Sequence, residues 1–435
     1  MLRRREFLRR GSLAAVGACL FPTIVPRRVF GQSPNSAPSE RIGLGLIGMG
    51  KQMTMHREGL VHRDDVQIIG VCDVDRFRRE LAKSEIEQAY AAETGKSAYR
   101  GVAAVEDFRE LLAMPEVDAV VIATPDHWHS IIAVEAIRAG KDVYCEKPLA
   151  ITVREGRAIC DAVEQYACVF QVGSQQRSER AFRVAAQLAC SGYLGDLKEI
   201  WVDVPQTPAM PYNVAAEPVP DGLNWDFWLG PSQVVPYSAE LEPAGDMRGH
   251  DYPHWRDYIG FAGGRVTDWT PHHPNIAQWA LGFDGSGPEW ILPPGGDVAE
   301  LTWIWPGGLP MKCGMPYAGG MIAFVGTEGV AIAARGDLLE TRPGHLKEVR
   351  FRPTEDLLPV STNHFSDWFD CIRTRRQPIC SVEAGHRSAT LGLLADLAMR
   401  FEKPIHWDAA SELIIDDPAL LPLLGREMRA PWSLI

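Results

Sequence analysis

Two short stretches carry residue types suited to moving protons. In Glu146-Lys147-Pro148 a lysine sits beside a carboxylate at the end of an apolar run. A partly buried lysine near other cations gives up its proton more readily, which suits acid–base work, whereas a surface lysine before a proline turn does nothing of the kind. In Gly263-Gly264-Arg-Val-Thr-Asp268-Trp-Thr-Pro-His272-His273-Pro-Asn275, Asp268 stands four residues before His272. A carboxylate at that spacing can orient an imidazole that shuttles protons; the competing reading is a structural, hydrogen-bonded histidine. Pro271 and Pro274 forbid a regular helix through this stretch, so it is expected to turn, with a helix starting near Pro274 and running through Leu281. His250, His254, His272 and His273 match no metal-ligand spacing, and no metal site is expected.

These groups need a scaffold, and the stretch from Arg41 to Met53 supplies its first piece. Arg41–Ile47 reads as a buried strand entering a tight turn at Gly48 and Gly50, with a helix to follow. Backbone N–H groups at such a helix N-terminus hold a pyrophosphate. The third position of the G-x-G-x-x-G pattern is Met53, where a small residue normally allows close helix–strand packing; the helix is therefore expected slightly displaced from the sheet. A second apolar strand, Gln67–Asp73, ends in a carboxylate 25 residues past Gly48, where a doubly wound fold places the acid that binds adenosine ribose hydroxyls. Arg76, Arg78 and Arg79 follow and can meet a 2′-phosphate, or simply form a solvated helix face, so NAD is favoured over NADP.

Apolar strands then alternate with helical patterns. Helices are expected over Arg76–Thr94 and Val105–Ala113, strands over Val117–Pro125 and Val143–Pro148, and a helix between them to about Ala139. This is the signature of a parallel sheet covered on both faces, with its ligand edge at residues 73, 124–126 and 146–148. Thr124, Pro125, His127 and His129, with Ser174-Gln175-Gln176-Arg177, are placed to line a nicotinamide and a substrate. Past residue 170 a strand at Val169–Gly173 and a helix at Ser178–Ser191 lead into a stretch rich in Pro, Gly and Trp. Its short β-like runs (Lys198–Val204, Leu301–Trp305, Met321–Gly326, Val330–Ala334) indicate an α+β domain on a largely antiparallel sheet. Helices return at His364–Thr374 and Ala384–Phe401. The long loop 205–260 carries Trp225, Trp228, Tyr237, Tyr252 and Trp255, and loops of that length are commonly functional. The expected division is a leader over 1–31, a linker over 32–40, a dinucleotide domain over 41–168 and a substrate and oligomerisation domain over 169–435.

The 435 residues carry a formal charge of −12. The first 31 hold seven arginines against Glu6, which leaves −18 on the remainder. So acidic a body disfavours nucleic acid as a partner, because phosphate neutralisation needs clustered cations. Arg4-Arg5-Glu6-Phe7-Leu8-Arg9 resembles the twin-arginine export signal. The apolar stretch Gly11–Val25 after it is short for a membrane span, and Val29-Phe30-Gly31 suits cleavage. Export to the periplasm by that route, which carries folded proteins, is expected. Apart from Cys19 in the expected leader, the cysteines lie among apolar neighbours with no C-x-x-C pair and define no disulfide framework.

Taken together, the glycine turn with Asp73, A-T-P-D-H-W-H, G-K-D-V-Y-C-E-K-P-L-A and G-G-R-V-T-D-W-T-P-H-H resemble the glucose–fructose oxidoreductase/inositol dehydrogenase (Gfo/Idh/MocA) family. The resemblance runs from about residue 41 to the C-terminus. Trp225-Asp-Phe-Trp-Leu-Gly-Pro231 and Arg429-Ala-Pro-Trp432 resemble its exported branch. It implies that Lys147, Asp268 and His272 are catalytic: the imidazole serves as acid–base at a reacting hydroxyl, helped by the lysine and oriented by the aspartate. Gln176, Arg177, Trp255 and His273 are expected to bind a sugar or polyol. Gly48, Gly50, Asp73, Thr124, Pro125, His127, His129, Glu146 and Lys147 are expected to hold NAD. A homo-oligomer is implied by the same likeness. An NAD-dependent glycoside hydrolase, working by transient oxidation and elimination, is the alternative activity.

Overall fold

The computed structural model describes residues 41–352 and 358–434; the leader and linker expected over 1–40 lie outside the described residues. The first sheet has six parallel strands in the order β3-β2-β1-β4-β5-β6: β1 Ile42–Ile47, β2 Val66–Cys72, β3 Ala103–Val105, β4 Ala119–Ile122, β5 Asp142–Cys145 and β6 Phe170–Val172. Helices α1 (Lys51–Leu60), α2 (Arg76–Thr94), α3 (Phe108–Leu112), α4 (His129–Arg138) and α5 (Val153–Tyr166) connect them. Successive side chains of a strand face opposite ways. Ala119 and Val121 accordingly join the core beneath α1 and α2, while Val120 and Ile122 join the one beneath α3, α4 and α5. Both faces are covered, which is why the strands read as continuous apolar runs.

The order reverses between β1 and β4, and a crevice opens there at the strands' carboxyl ends. Met53 is fully buried in the core that holds Leu44 and Leu46, so its side chain fills the space a small residue would have closed.

Three expectations are corrected here. The first domain does not end at 168, because Val143, Tyr144 and Cys145 of β5 pair with Phe170, Gln171 and Val172 of β6. The segment expected as one helix over Val105–Ala113 splits into the end of β3 and the short α3, which Asp107 caps by accepting from Arg109 N. The stretch around Asp268 is helical up to Trp269 rather than a plain turn.

The second domain is built on nine strands in the order β13-β12-β11-β7-β10-β9-β8-β14-β15. They are β7 Leu197–Val202, β8 Trp290–Leu292, β9 Thr302–Trp305, β10 Leu309–Cys313, β11 Ile322–Gly326, β12 Val330–Ala334, β13 Leu338–Arg342, β14 Ile405–Asp408 and β15 Leu413–Ile414. Neighbours run antiparallel except β7 and β10. Helices α6 (Arg180–Cys190), α9 (His273–Ala280) and α11 (Val382–Phe401) share its core with Trp303, Trp305 and Phe324.

Between β7 and α8 (Gly264–Trp269) the chain forms a long excursion with its own aromatic core. It contains α7 (Trp225–Leu229), whose Trp225 and Trp228 stack at 4.6 Å. The end of the chain folds back on the first domain. α10 (His364–Thr374) buries Trp368 and Phe369 in the core beneath α1, and Trp432 meets Trp128 at 4.7 Å.

Candidate active site

A cleft of about 520 Å³ lies along the crevice between the domains. Its floor is the glycine turn. Gly48 has φ +85°, and a Cβ there would meet the backbone of Ala123 and Thr124 at 2.8 Å, so only glycine fits. Gly50 caps α1 with open space where a Cβ would stand, leaving room for a ligand to reach the backbone. Asp73 ties this turn to the end of β2. Its Oδ2 accepts from Met49 N (2.6 Å) and its Oδ1 from Asp75 N (2.8 Å), while burial pushes its carboxyl above the usual range. These features fit the pyrophosphate and ribose of a dinucleotide.

The turn after β4 brings Thr124, Pro125, Asp126 and His129 to the cleft. His129 sits between two carbonyls, Pro148 O (2.7 Å) and Thr124 O (3.0 Å), and so locks the ends of β4 and β5 together. After β5, Glu146 is buried and receives His56 Nε2 (2.7 Å) and Gln175 Nε2 (2.8 Å). Burial raises its pKa, but the His56 hydrogen bond and Lys147 bring it below the usual value. Gly173 is required beside it, since a Cβ there would lie 2.8 Å from the carboxyl group.

Lys147 reaches across to the second domain, donating from Nζ to Asp268 Oδ1 (2.7 Å) and Asp268 O (3.0 Å). Burial opposes charge on Asp268, yet Lys147 and then Arg256, at 3.7 Å, hold its pKa below the ordinary carboxylate value. His272 lies in the same wall. Burial, followed by the charge of Lys147, drives its pKa well below 6.5, so the imidazole is neutral. Asp268 does not orient His272 by a hydrogen bond. α8 ends at Trp269 and His272 caps the next helix, so the two side chains leave from different elements, and Asp268 is taken by Lys147.

Three polar atoms at the cleft, Thr124 Oγ1, Asp126 Oδ2 and His272 Nδ1, are buried without a hydrogen-bond partner. Such orphans are costly unless a ligand meets them. Burial also pushes the Asp126 carboxyl well above the usual carboxylate range despite Arg256 nearby.

Gln176 and Trp255 line the cleft. With its amide turned to satisfy both neighbours, Gln176 donates to His272 O and accepts from Arg335 Nε, each at 3.2 Å. Three expected ligand residues do not line it. Arg177 is fully buried, binding Asp284 through two nitrogens (2.6 and 2.7 Å) and Asn275 Oδ1 (2.6 Å). His273 is held by Asp203 O (2.8 Å), and burial lowers its pKa to about 4. His127 contacts Trp228 O (2.9 Å) among aromatic rings, with its pKa lowered to about 3 by burial. All three are structural.

The cleft also contains Asp126, placed by the sequence only at the ligand edge, and Arg256 and Arg335, which motif reading did not assign. Arg256, stacked on Trp255 at 4.1 Å, sits in the aromatic loop already singled out; Arg335 follows β12 with no local signal. No group of three or more metal-binding side chains occurs among the described residues.

Comparison with known proteins agrees with the two-domain fold. Residues 42–174 match the family model described as "Oxidoreductase family, NAD-binding Rossmann fold", and residues 346–434 match its "C-terminal alpha/beta domain". The two matches together cover about half of the chain. The chain belongs to the Gfo/Idh/MocA oxidoreductase family.

Its relatives include a myo-inositol 2-dehydrogenase of Thermotoga maritima, 28% identical over 35% of this chain and 42% of that protein. A glycosyl hydrolase family 109 protein of Stenotrophomonas maltophilia is 25% identical over 56% of this chain and 53% of that one. The chain thus spans about half or less of these curated relatives. An aldose–aldose oxidoreductase of Caulobacter crescentus, crystallised with glycerol, shares the fold with a TM-score of 0.56 and 19% identity, over 84% of this chain and 99% of that one.

Proposed function

We propose that this protein is an NAD-dependent oxidoreductase acting on a CH–OH group of a sugar or polyol. The observation that carries the reading is the joining of Lys147, from the cofactor domain, to Asp268, beside a neutral, unpartnered His272 in one cleft. Bound nicotinamide would accept the hydride. Gly48, Gly50, Asp73 and Glu146 would hold the dinucleotide. The neutral imidazole of His272 takes the proton from the substrate hydroxyl. Lys147, fixed by Asp268, donates to the same oxygen and favours its anionic form, and Trp255 and Gln176 position the ring.

Export by the twin-arginine route to the periplasm is part of this reading, supported by Arg4-Arg5-Glu6-Phe7-Leu8-Arg9. No free nicotinamide pool is expected there, so the cofactor is retained and cycled by paired substrates. A homo-oligomer through the second sheet's open face, where Trp201 and Lys312 are half-buried, completes it.

A second reading, a redox-neutral glycosidase, is favoured by the likeness to glycosyl hydrolase family 109 proteins. Incubating protein charged with NAD with free sugars, polyols and aryl glycosides separates the two. Reduction of the bound cofactor by a free sugar or polyol supports the oxidoreductase. Aglycone release without net reduction selects the glycosidase.

A further inference from the structure

Of the arginines that follow Asp73, Arg78 is the one that lines the cleft, and it is fully engaged. Its Nη1 donates to Glu242 Oε1 (2.6 Å), its Nε to Gly245 O (2.8 Å) and its Nη2 to Pro243 O and Met247 Sδ (3.1 Å). All four partners belong to the long excursion of the second domain. Asp75 fixes the same segment by accepting from Gly245 N (2.7 Å). Arg78 and Glu242 are 8% and 3% exposed, so the pair is shielded from solvent. Arg79 is likewise turned aside, to Asp73 O (3.1 Å) and Glu106 (3.4 Å). The wall around this end of the cleft therefore presents Asp73, Glu106 and Glu242.

In doubly wound dinucleotide folds a nearby arginine accommodates the 2′-phosphate of NADP, while a carboxylate takes the 2′-hydroxyl of NAD. We propose that Glu242, contributed by the second domain, sets the cofactor preference by occupying Arg78, so that the cleft takes a nucleotide with a free adenosine 2′-hydroxyl and rejects one carrying a 2′-phosphate. This rests on the reading of the cleft as a dinucleotide site. A phosphate group would meet carboxylates there, and the Arg78 guanidinium is already paired with Glu242. A ribose hydroxyl can donate to those same carboxylates.

Dissociation constants for NAD and NADP, measured by calorimetry on the nucleotide-free full chain, test this. The wild type is expected to prefer NAD. Glu242→Gln keeps a hydrogen-bond acceptor while releasing the charge of Arg78, and should shift the NAD-to-NADP ratio toward NADP by about tenfold or more. The double variant Arg78→Gln/Glu242→Gln removes both charges and should lose that gain. Glu242→Asp, which shortens the pair without removing the carboxylate, should shift the ratio less and serves if Glu242→Gln does not fold. A wild-type preference for NADP, or an unchanged ratio in the folded single variants, would overturn the proposal. A wild type that binds neither nucleotide would overturn the dinucleotide reading itself, an outcome distinct from NAD binding with an unmoved ratio.

Discussion

At the scale of single residues, the proposed chemistry depends on a histidine kept neutral and a lysine kept in place. Lys147→Met should leave the fold intact and lower kcat by a factor on the order of 10² to 10⁴, the usual range for a group assisting proton transfer. Steady-state rates on any accepted substrate check this, with circular dichroism confirming the fold. Because burial depresses the pKa of His272, its basic form persists below pH 6.5. The acid limb of the kcat/KM profile should therefore lie below 6.5; a limb at or above that value would contradict the assignment.

Lys147, Asp268 and His272 were legible because each sits in a local motif at an element's end. Arg177, His273 and His127 have the same residue types, and what removes them from the cleft are partners 107, 70 and 101 positions away. No local pattern reports such partners.

At the scale of elements, the two turn glycines should separate stability from binding. Gly48→Ala forces a Cβ into the Ala123–Thr124 backbone and a left-handed φ on alanine, at a cost on the order of 1–3 kcal/mol. Both melting temperature and nucleotide affinity should fall. Gly50→Ala meets open space, so the melting temperature should hold while nucleotide affinity drops. Loss of stability in Gly50→Ala would show that the turn is tighter than described.

Elements with a sustained local signal were readable: α2, β12 and α10 lie where expected. Short pieces such as β3, β8 and β15, of two or three residues, exist only because a neighbouring strand pairs with them. Their own sequences hold too few positions to show a period. Met53 shows the opposite case, where a departure from the fingerprint is absorbed by packing a flexible side chain into the core.

At the scale of the whole molecule, the buried histidines link stability to pH. His127, His273 and His364 have pKa values lowered by burial to about 3, 4 and 4, below the ordinary 6.5 of an unfolded chain. The unfolded chain therefore binds more protons below pH 6.5, so their contribution is complete above that pH and is lost as the pH falls toward 4. Each accounts for on the order of 3 kcal/mol across that window. Urea midpoints should fall steeply between pH 6.5 and 4, and His273→Gln should make the slope shallower; a flat profile would refute the burial of these rings as neutral groups.

The two-domain plan was visible from the change in texture near residue 170. The return of the C-terminal stretch, with Trp368 and Trp432 packed on the first domain, was not, because contacts so distant in sequence leave no mark in local composition.

The central claim is that this cleft holds NAD and that His272, with Lys147 fixed by Asp268, draws a proton from a sugar or polyol hydroxyl as hydride leaves. It is tested most directly by charging the protein with NAD, adding a panel of sugars and polyols, and following the absorbance of reduced nicotinamide in a single turnover, with His272→Ala in parallel. The account predicts reduction by at least one member of the panel in the wild type and a rate lower by orders of magnitude in His272→Ala. Failure to take up NAD, or equal rates in the two proteins, would contradict it.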